Sequence, residues 1–270
     1  MTKRPAVPAF WASSAALLGF YALLLCGLLI AIGTWTSPAD FSRILWSREI
    51  RFSLWLSVAT CATSTALAIL FATPAAYLLS RKSFRGRMML EVLLDIPIVL
   101  PPLVVGLGLL LMFQTAPGNW IEDTLGWRFT YAPAGVVLAQ FTVACAFAMR
   151  SLRATFDEIV PRSEAVARTL GATDGQVFFR VVLPASKRGI LHAAAIAWAR
   201  SLGEFGPILV FAGATRMKTE VLPTTVFLEL SIGNLETAAA VSMLLVLAAS
   251  AVLLLLRWID SRDPLCHDFR

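Results

Sequence analysis

Arg200 and Glu204 stand four residues apart in ARSLGEFG, the spacing that puts two side chains on one face of a helix. A guanidinium and a carboxylate inside an apolar stretch face each other or an aqueous cavity, because lipid solvates neither. Two uses follow. The pair orders a helix bundle, or Arg200 lends positive potential to an anion route while Glu204 holds it in place. Gly203, Gly206 and Pro207 surround the pair. Small residues allow helices to pack closely and proline loosens the backbone ladder, so the same stretch reads as a tight joint or as a gate.

Other chemistry finds little support. No G-x-x-x-x-G-K-[ST] phosphate loop occurs, so the chain is not expected to bind ATP. No serine, cysteine or histidine constellation suggests nucleophilic catalysis. Cys26, Cys61 and Cys145 fall in apolar runs and Cys266 in a polar tail, with no CxxC among them. His192 and His267 lie far apart, which makes no metal site. Neither a catalytic residue nor a bound cofactor is expected.

The elements that must position these groups are membrane helices. Of 270 residues 58% are hydrophobic and 15% charged, and the mean hydropathy is +0.75. Soluble domains carry about 45–50% apolar and about 25% charged residues. The apolar residues gather into six blocks: Trp11–Thr34, Phe52–Leu79, Met89–Phe113, Ala132–Met149, Ile190–Ala212 and Thr237–Trp258. Each approaches the roughly 20 residues that a spanning helix needs. The fourth is the shortest and contains Gln140; the third contains Asp95, Pro97, Pro101 and Pro102 and reads as a broken helix lining a pathway.

With the N-terminus inside, 16 of the 23 Lys and Arg residues fall on inner segments and 6 on outer ones, Arg200 lying within a span. That bias is the positive-inside pattern, so both termini are expected in the cytoplasm. The net charge of +6 is then a topological signal, and no nucleic acid is expected as a partner. Trp35, Trp46, Trp120, Trp127 and Tyr131 fall on outer segments and suit a membrane–water boundary.

Residues 150–189 form the largest inner loop. Residues 162–170 are helix-compatible and Gly171 offers the left-handed conformation that closes a helix. Thr173 followed by Gln176 is a capping-box pattern, predicting a second short helix there. Val177, Phe178, Val181 and Val182 would share one apolar face, and Pro184 is expected to stop the helix. Such an element either lies on a lipid surface or fits a groove on a partner.

EAVARTLGATDGQVFFRVVLPASKRGI resembles the EAA loop of type I ABC importer permeases: E-A-A, three residues, Gly, nine residues, an aliphatic, any residue, Leu-Pro. Counting from Gly171, the E-A-A positions fall on Ala165, Val166 and Ala167, so Glu164 stands one place early. Val181, Leu183 and Pro184 match, followed by Gly189 and Ile190. The resemblance implies an all-α membrane domain of about six spans, with a coupling helix docking on a cytoplasmic ATPase. The docking set it implies is Glu164, Ala165, Ala167, Gly171, Ala172, Thr173, Asp174, Val177, Phe178, Val181, Leu183, Pro184 and Gly189.

Residues 199–230, with Arg200, Gly203, Glu204, Phe205 and Gly206 followed by Thr219, Leu222 and Pro223, are similar to permeases for molybdate, tungstate and sulfate. IPIVLPPLVVGLGLLLMF, at 96–113, is similar to a core span of the same group. The implied organisation is a tail, first helix and outer loop over 1–50, the transport core over 51–258, and a cytoplasmic tail over 259–270. Molybdate or tungstate is the first expectation for the substrate, with sulfate or thiosulfate as the near alternative. Hydropathy alone would also allow a channel, which the loop would not explain. The implied assembly is a homodimer in the cytoplasmic membrane, with two ATPase subunits using ATP and Mg inside and an oxyanion-binding protein outside.

Overall fold

A computed structural model describes residues 7–35 and 38–261, and the described chain is helical. Lys3, Arg4, Cys266, His267 and the tail over 262–270 lie outside the described residues.

Helix α1 (Val7–Thr34) precedes the short α2 (Pro38–Leu45) and the long α3 (Arg48–Arg81). Next come α4 (Arg87–Val99), α5 (Pro102–Phe113), α6 (Ala116–Leu125) and α7 (Pro133–Glu158). The loop contributes α8 (Pro161–Thr169), α9 (Asp174–Val177), a π-helical turn (Phe178–Val182) and α10 (Leu183–Ala185). The chain then runs through α11 (Lys187–Gly203), α12 (Gly206–Phe211), α13 (Leu222–Ser231) and α14 (Leu235–Ser261).

Among the described residues, α1, α3, α7 and α14 are single helices long and apolar enough to cross a membrane. The other two blocks are broken. The third divides into α4 and α5, bent by 112°. Leu100 and Pro101 between them are extended because a residue that precedes proline is kept out of the helical region, and Pro101 and Pro102 both lack a donor. Pro97, in contrast, is carried inside α4. The fifth block is not one span-length helix: α11 ends at Gly203, Glu204 is extended, and the chain restarts with Pro207 in the first turn of α12. A proline at that place has no N–H to return to the carbonyl of Gly203.

The centre of the bundle is α3, α7 and α11. Ala68, Ala72, Ala76, Ala144, Ala148, Ala193 and Ala197 are all fully buried there, and the four-residue spacing of each stripe brings backbones into close approach. A second cluster joins α3, α5, α7 and α12 through Leu56, Phe113, Val136, Ile208 and Phe211.

Charged groups gather at both ends of α3. Beyond its N-terminal end, Arg216 is held between Glu49 and Glu229, the latter at 2.6 Å, and Asn234 donates to Glu229 at 2.9 Å. Glu220 lies beside this clasp, 1% exposed and with Oε2 unpartnered. Burial pushes its carboxyl above the ordinary range, partly offset by Thr225 and Arg216. A raised folded-state value means that this group favours the fold most below its unfolded pKa, near 4.5. The advantage is lost as pH rises through the folded value. Glu220→Gln should therefore stabilise the chain relative to wild type at pH 7–8, with the gap closing toward pH 4.5. Thermal unfolding of both proteins across that range checks it; a gap independent of pH would contradict it.

Candidate coupling and translocation site

The loop is built by its own caps. Gly171, at φ 87°, closes α8: its N–H reaches the carbonyl of Arg168 at 3.0 Å, and that of Ala172 reaches Ala167 at 3.1 Å. These are the paired bonds of a Schellman motif. Thr173 and Gln176 then cap α9 reciprocally, the Gln176 N–H donating to Thr173 Oγ1 at 3.3 Å and the Thr173 N–H to Gln176 Oε1 at 2.9 Å. Arg168 donates to Asp174 at 2.9 Å across the break. That bond holds the Asp174 carboxyl below its usual range and the Arg168 guanidinium above its own.

Which way the apolar residues face differs from the sequence expectation. Val177 and Val182 are fully buried against α3, α7 and α11; Phe178 is half-buried, its ring 4.9 Å from that of Tyr77, and Val181 is half-buried. This face seats the loop on its own helices. The π-turn explains the pairing, since its five-residue step aligns Val177 with Val182 where an α-helix would align Val177 with Val181. Pro184 does not stop the helical path. The N–H of Leu183 bonds Phe178 five residues back, and the chain turns through Ala185 before breaking at Ser186.

The outward surface instead carries Leu170 at 83%, Phe179 at 66% and Val166 at 52% exposure. Ala165, Gly171, Thr173, Asp174 and Pro184 are also exposed, while Ala167, Ala172, Leu183 and Gly189 are half-buried. Gly189 is required by contact, because a Cβ there would lie 2.1 Å from the Thr155 side chain of α7.

Glu164 is turned inward. It is 1% exposed, with Oε1 2.6 Å from Arg81 Nε and Oε2 accepting from the Tyr77 hydroxyl at 2.8 Å. Arg168 adds a contact at 3.5 Å, and Arg81 also donates to the carbonyl of Ile159 at 3.0 Å. Glu164 is thus the joint between the loop and α3, and the side chain is not available at the surface.

Within the bundle, Arg200 donates to Glu204 at 2.6 Å and its guanidinium stacks 4.8 Å from the Phe147 ring. The Glu204 side chain is 2% exposed and that of Arg200 40%, and Arg200 Nε is buried without a hydrogen-bond partner. Next to it Ser201 joins a buried polar cross-link that sequence reasoning missed. Ser64 donates to Ser201 at 3.0 Å, and Gln140 donates to the Ser201 carbonyl at 3.1 Å and to Cys61 at 3.4 Å. Gln140, the oddity of the fourth block, ties α3, α7 and α11 together.

The two broken helices meet each other. A Cβ on Gly106 of α5 would lie 2.8 Å from Pro207 Cα, and one on Gly206 would lie 3.0 Å from the Leu103 nitrogen and Pro102 Cβ. Gly206 and Pro207 therefore sit in a tight joint, whereas Gly203 is exposed with open space around it. Among the described residues no group of three His, Cys, Asp or Glu side chains could hold a metal ion.

Residues 64–262 match the family model of the binding-protein-dependent transport system inner membrane component. The chain belongs to that family. This inner membrane component is a type I ABC importer permease subunit, and its matched region contains the loop, the joint and both broken helices. It is 36% identical over 246 residues, 90% of each chain, to the molybdenum transport system permease protein ModB of Mycobacterium tuberculosis. It is 32% identical over 246 residues, 88% of each chain, to the sulfate transport system permease protein CysW of Synechocystis. In structure it resembles a chain of a bacterial alginate ABC transporter solved with a pentasaccharide-bound periplasmic protein. The TM-score is 0.73 at 18% identity, covering 95% of this chain and 96% of that one. At that identity the likeness concerns the fold.

Proposed function

We propose that the chain moves molybdate or tungstate across the cytoplasmic membrane as half of a homodimer, driven by two ATPase subunits that hydrolyse ATP with Mg. The observation that carries this reading is the loop: it is seated firmly on α3 and presents Leu170, Phe179 and Val166 outward, apolar knobs that fit a partner's groove. Positive-inside bias puts that loop and both termini in the cytoplasm and the Arg216 clasp outside, where an oxyanion-binding protein would deliver its cargo. The 36% identity to a molybdenum permease supports the substrate; the 32% identity to a sulfate permease keeps sulfate as the competing cargo.

The test is reconstitution in liposomes with a cognate ATPase subunit and an oxyanion-binding protein. Accumulation of molybdate or tungstate that requires ATP and exceeds that of sulfate is the expected result. ATP-independent entry that stops at equilibrium would replace the importer with a channel, and preference for sulfate would replace the cargo.

Arg200 belongs to the anion route in this reading, through its exposed guanidinium edge. Arg200→Gln should lower uptake about tenfold with the complex still assembled, the loss of roughly 1.4 kcal/mol of charge stabilisation. Unchanged uptake with normal assembly would leave the pair a purely structural one.

A further inference from the structure

At the end of α3 away from the loop, an open cavity of about 700 Å³ lies among Trp46, Arg48, Arg51, Phe52, Trp55 and Met217. Arg48 and Arg51 stand on one side of the helix, three residues apart. Among the described residues neither has a carboxylate partner; Arg51 meets only the Trp46 ring, 5.8 Å away, and nearby Glu49 is taken by Arg216. The placement is electrostatically unfavourable, because the first turn of a helix carries positive potential and repels cations. Both guanidiniums are exposed, so two adjacent cations without a counter-charge in that field offer a site to an anion from outside the chain.

The rest of the cavity describes what the anion is attached to. Trp46 and Trp55 are 74% and 67% exposed, and Trp55 lies inside the apolar block that begins at Phe52. Met217 closes the other wall with its backbone at φ 60°, a conformation that costs energy for a residue with a side chain. A small hydrated oxyanion would use the guanidiniums and gain nothing from the indoles. We propose that the cavity binds an anionic phospholipid, its phosphate on Arg48 and Arg51 and its acyl chain along Phe52 and Trp55.

Native mass spectrometry of the purified chain, given equal phosphatidylglycerol and phosphatidylcholine, tests this. Phosphatidylglycerol should be retained preferentially. A basic residue near an anionic headgroup contributes about a fivefold preference, so R48Q/R51Q should lower it roughly 30-fold. R48K/R51K should keep most of it, and R128Q, at another arginine expected on the same side, should keep all of it. Trp55→Ala should weaken retention of both lipids. Equal retention of the two lipids by wild type, or an undiminished preference in R48Q/R51Q, would overturn the proposal. Displacement of the lipid by millimolar inorganic phosphate or molybdate would reassign the cavity to a free oxyanion. Unchanged lipid retention with weakened binding-protein-stimulated uptake in R48Q/R51Q would reassign it to a protein partner.

Discussion

Replacing Glu164 with alanine should sharply reduce ATP-driven uptake while the bundle itself remains folded. The substitution leaves Arg81 facing an empty space at a site where Glu164 was 1% exposed, and Tyr77 loses its acceptor. Breaking a buried pair by removing one partner costs about 3–5 kcal/mol, and the 14% exposure of Arg81 puts this case at the lower end. That cost falls on the attachment of α8 to α3. Even half of it lowers the equilibrium constant for seating about tenfold, and a loop off its seat cannot pass a push into the span. Glu164→Gln keeps the shape and one acceptor and should retain part of the coupling; Tyr77→Phe removes a single bond and should cost less still. The measurement is uptake per ATP hydrolysed in liposomes, with assembly checked by size-exclusion chromatography. Wild-type coupling in assembled Glu164→Ala would show that the joint carries no force.

The second large effect is expected where the two broken helices touch. Gly106→Ala places a methyl 2.8 Å from Pro207 Cα and 2.9 Å from its carbonyl oxygen, backbone atoms with no rotamer to yield. Overpacking of this kind costs about 1–3 kcal/mol, and α5 and α12 must separate to relieve it. The folded yield in detergent and the thermal midpoint should both fall, and uptake with them. Gly203→Ala is the matched control. Nothing lies within 4 Å of a Cβ there, and Gly203 ends a helix, so the change should be neutral or slightly stabilising. If both variants behave alike, close packing of the two breaks is not what the glycines provide.

The difference between what the sequence disclosed and what it hid is clearest around Glu164. The order of apolar blocks, the break at Pro101–Pro102, the Gly171 closure and the Thr173–Gln176 cap were legible because each is a local signal. Direction was not. One residue on a helix is a rotation of about 100°, so the single-place shift from Ala165 to Glu164 moves the side chain from the outer face to the inner one. The exposure of Ala165 and the burial of Glu164 are that rotation made visible. The valines share a face as expected, but that the face turns inward onto the bundle is set by helices distant in sequence. Leu170 and Phe179 carry no local signal of their exposure, because only the packed bundle decides which side of the loop is left over. Gln140 was visible as an anomaly, but its partners come from helices far away in sequence.

Helix α3 runs unbroken through its 34 residues, Pro74 included, with the Glu164 joint near one end and the Arg216 clasp at the other. At 1.5 Å per residue it is a rod of about 50 Å. A tilt of about 5° around the joint sweeps the far end through about 4 Å, enough to pull Arg216 away from Glu49. The two charge clusters share one lever, so a movement of the loop at one end of the rod is also an event at the clasp on the other.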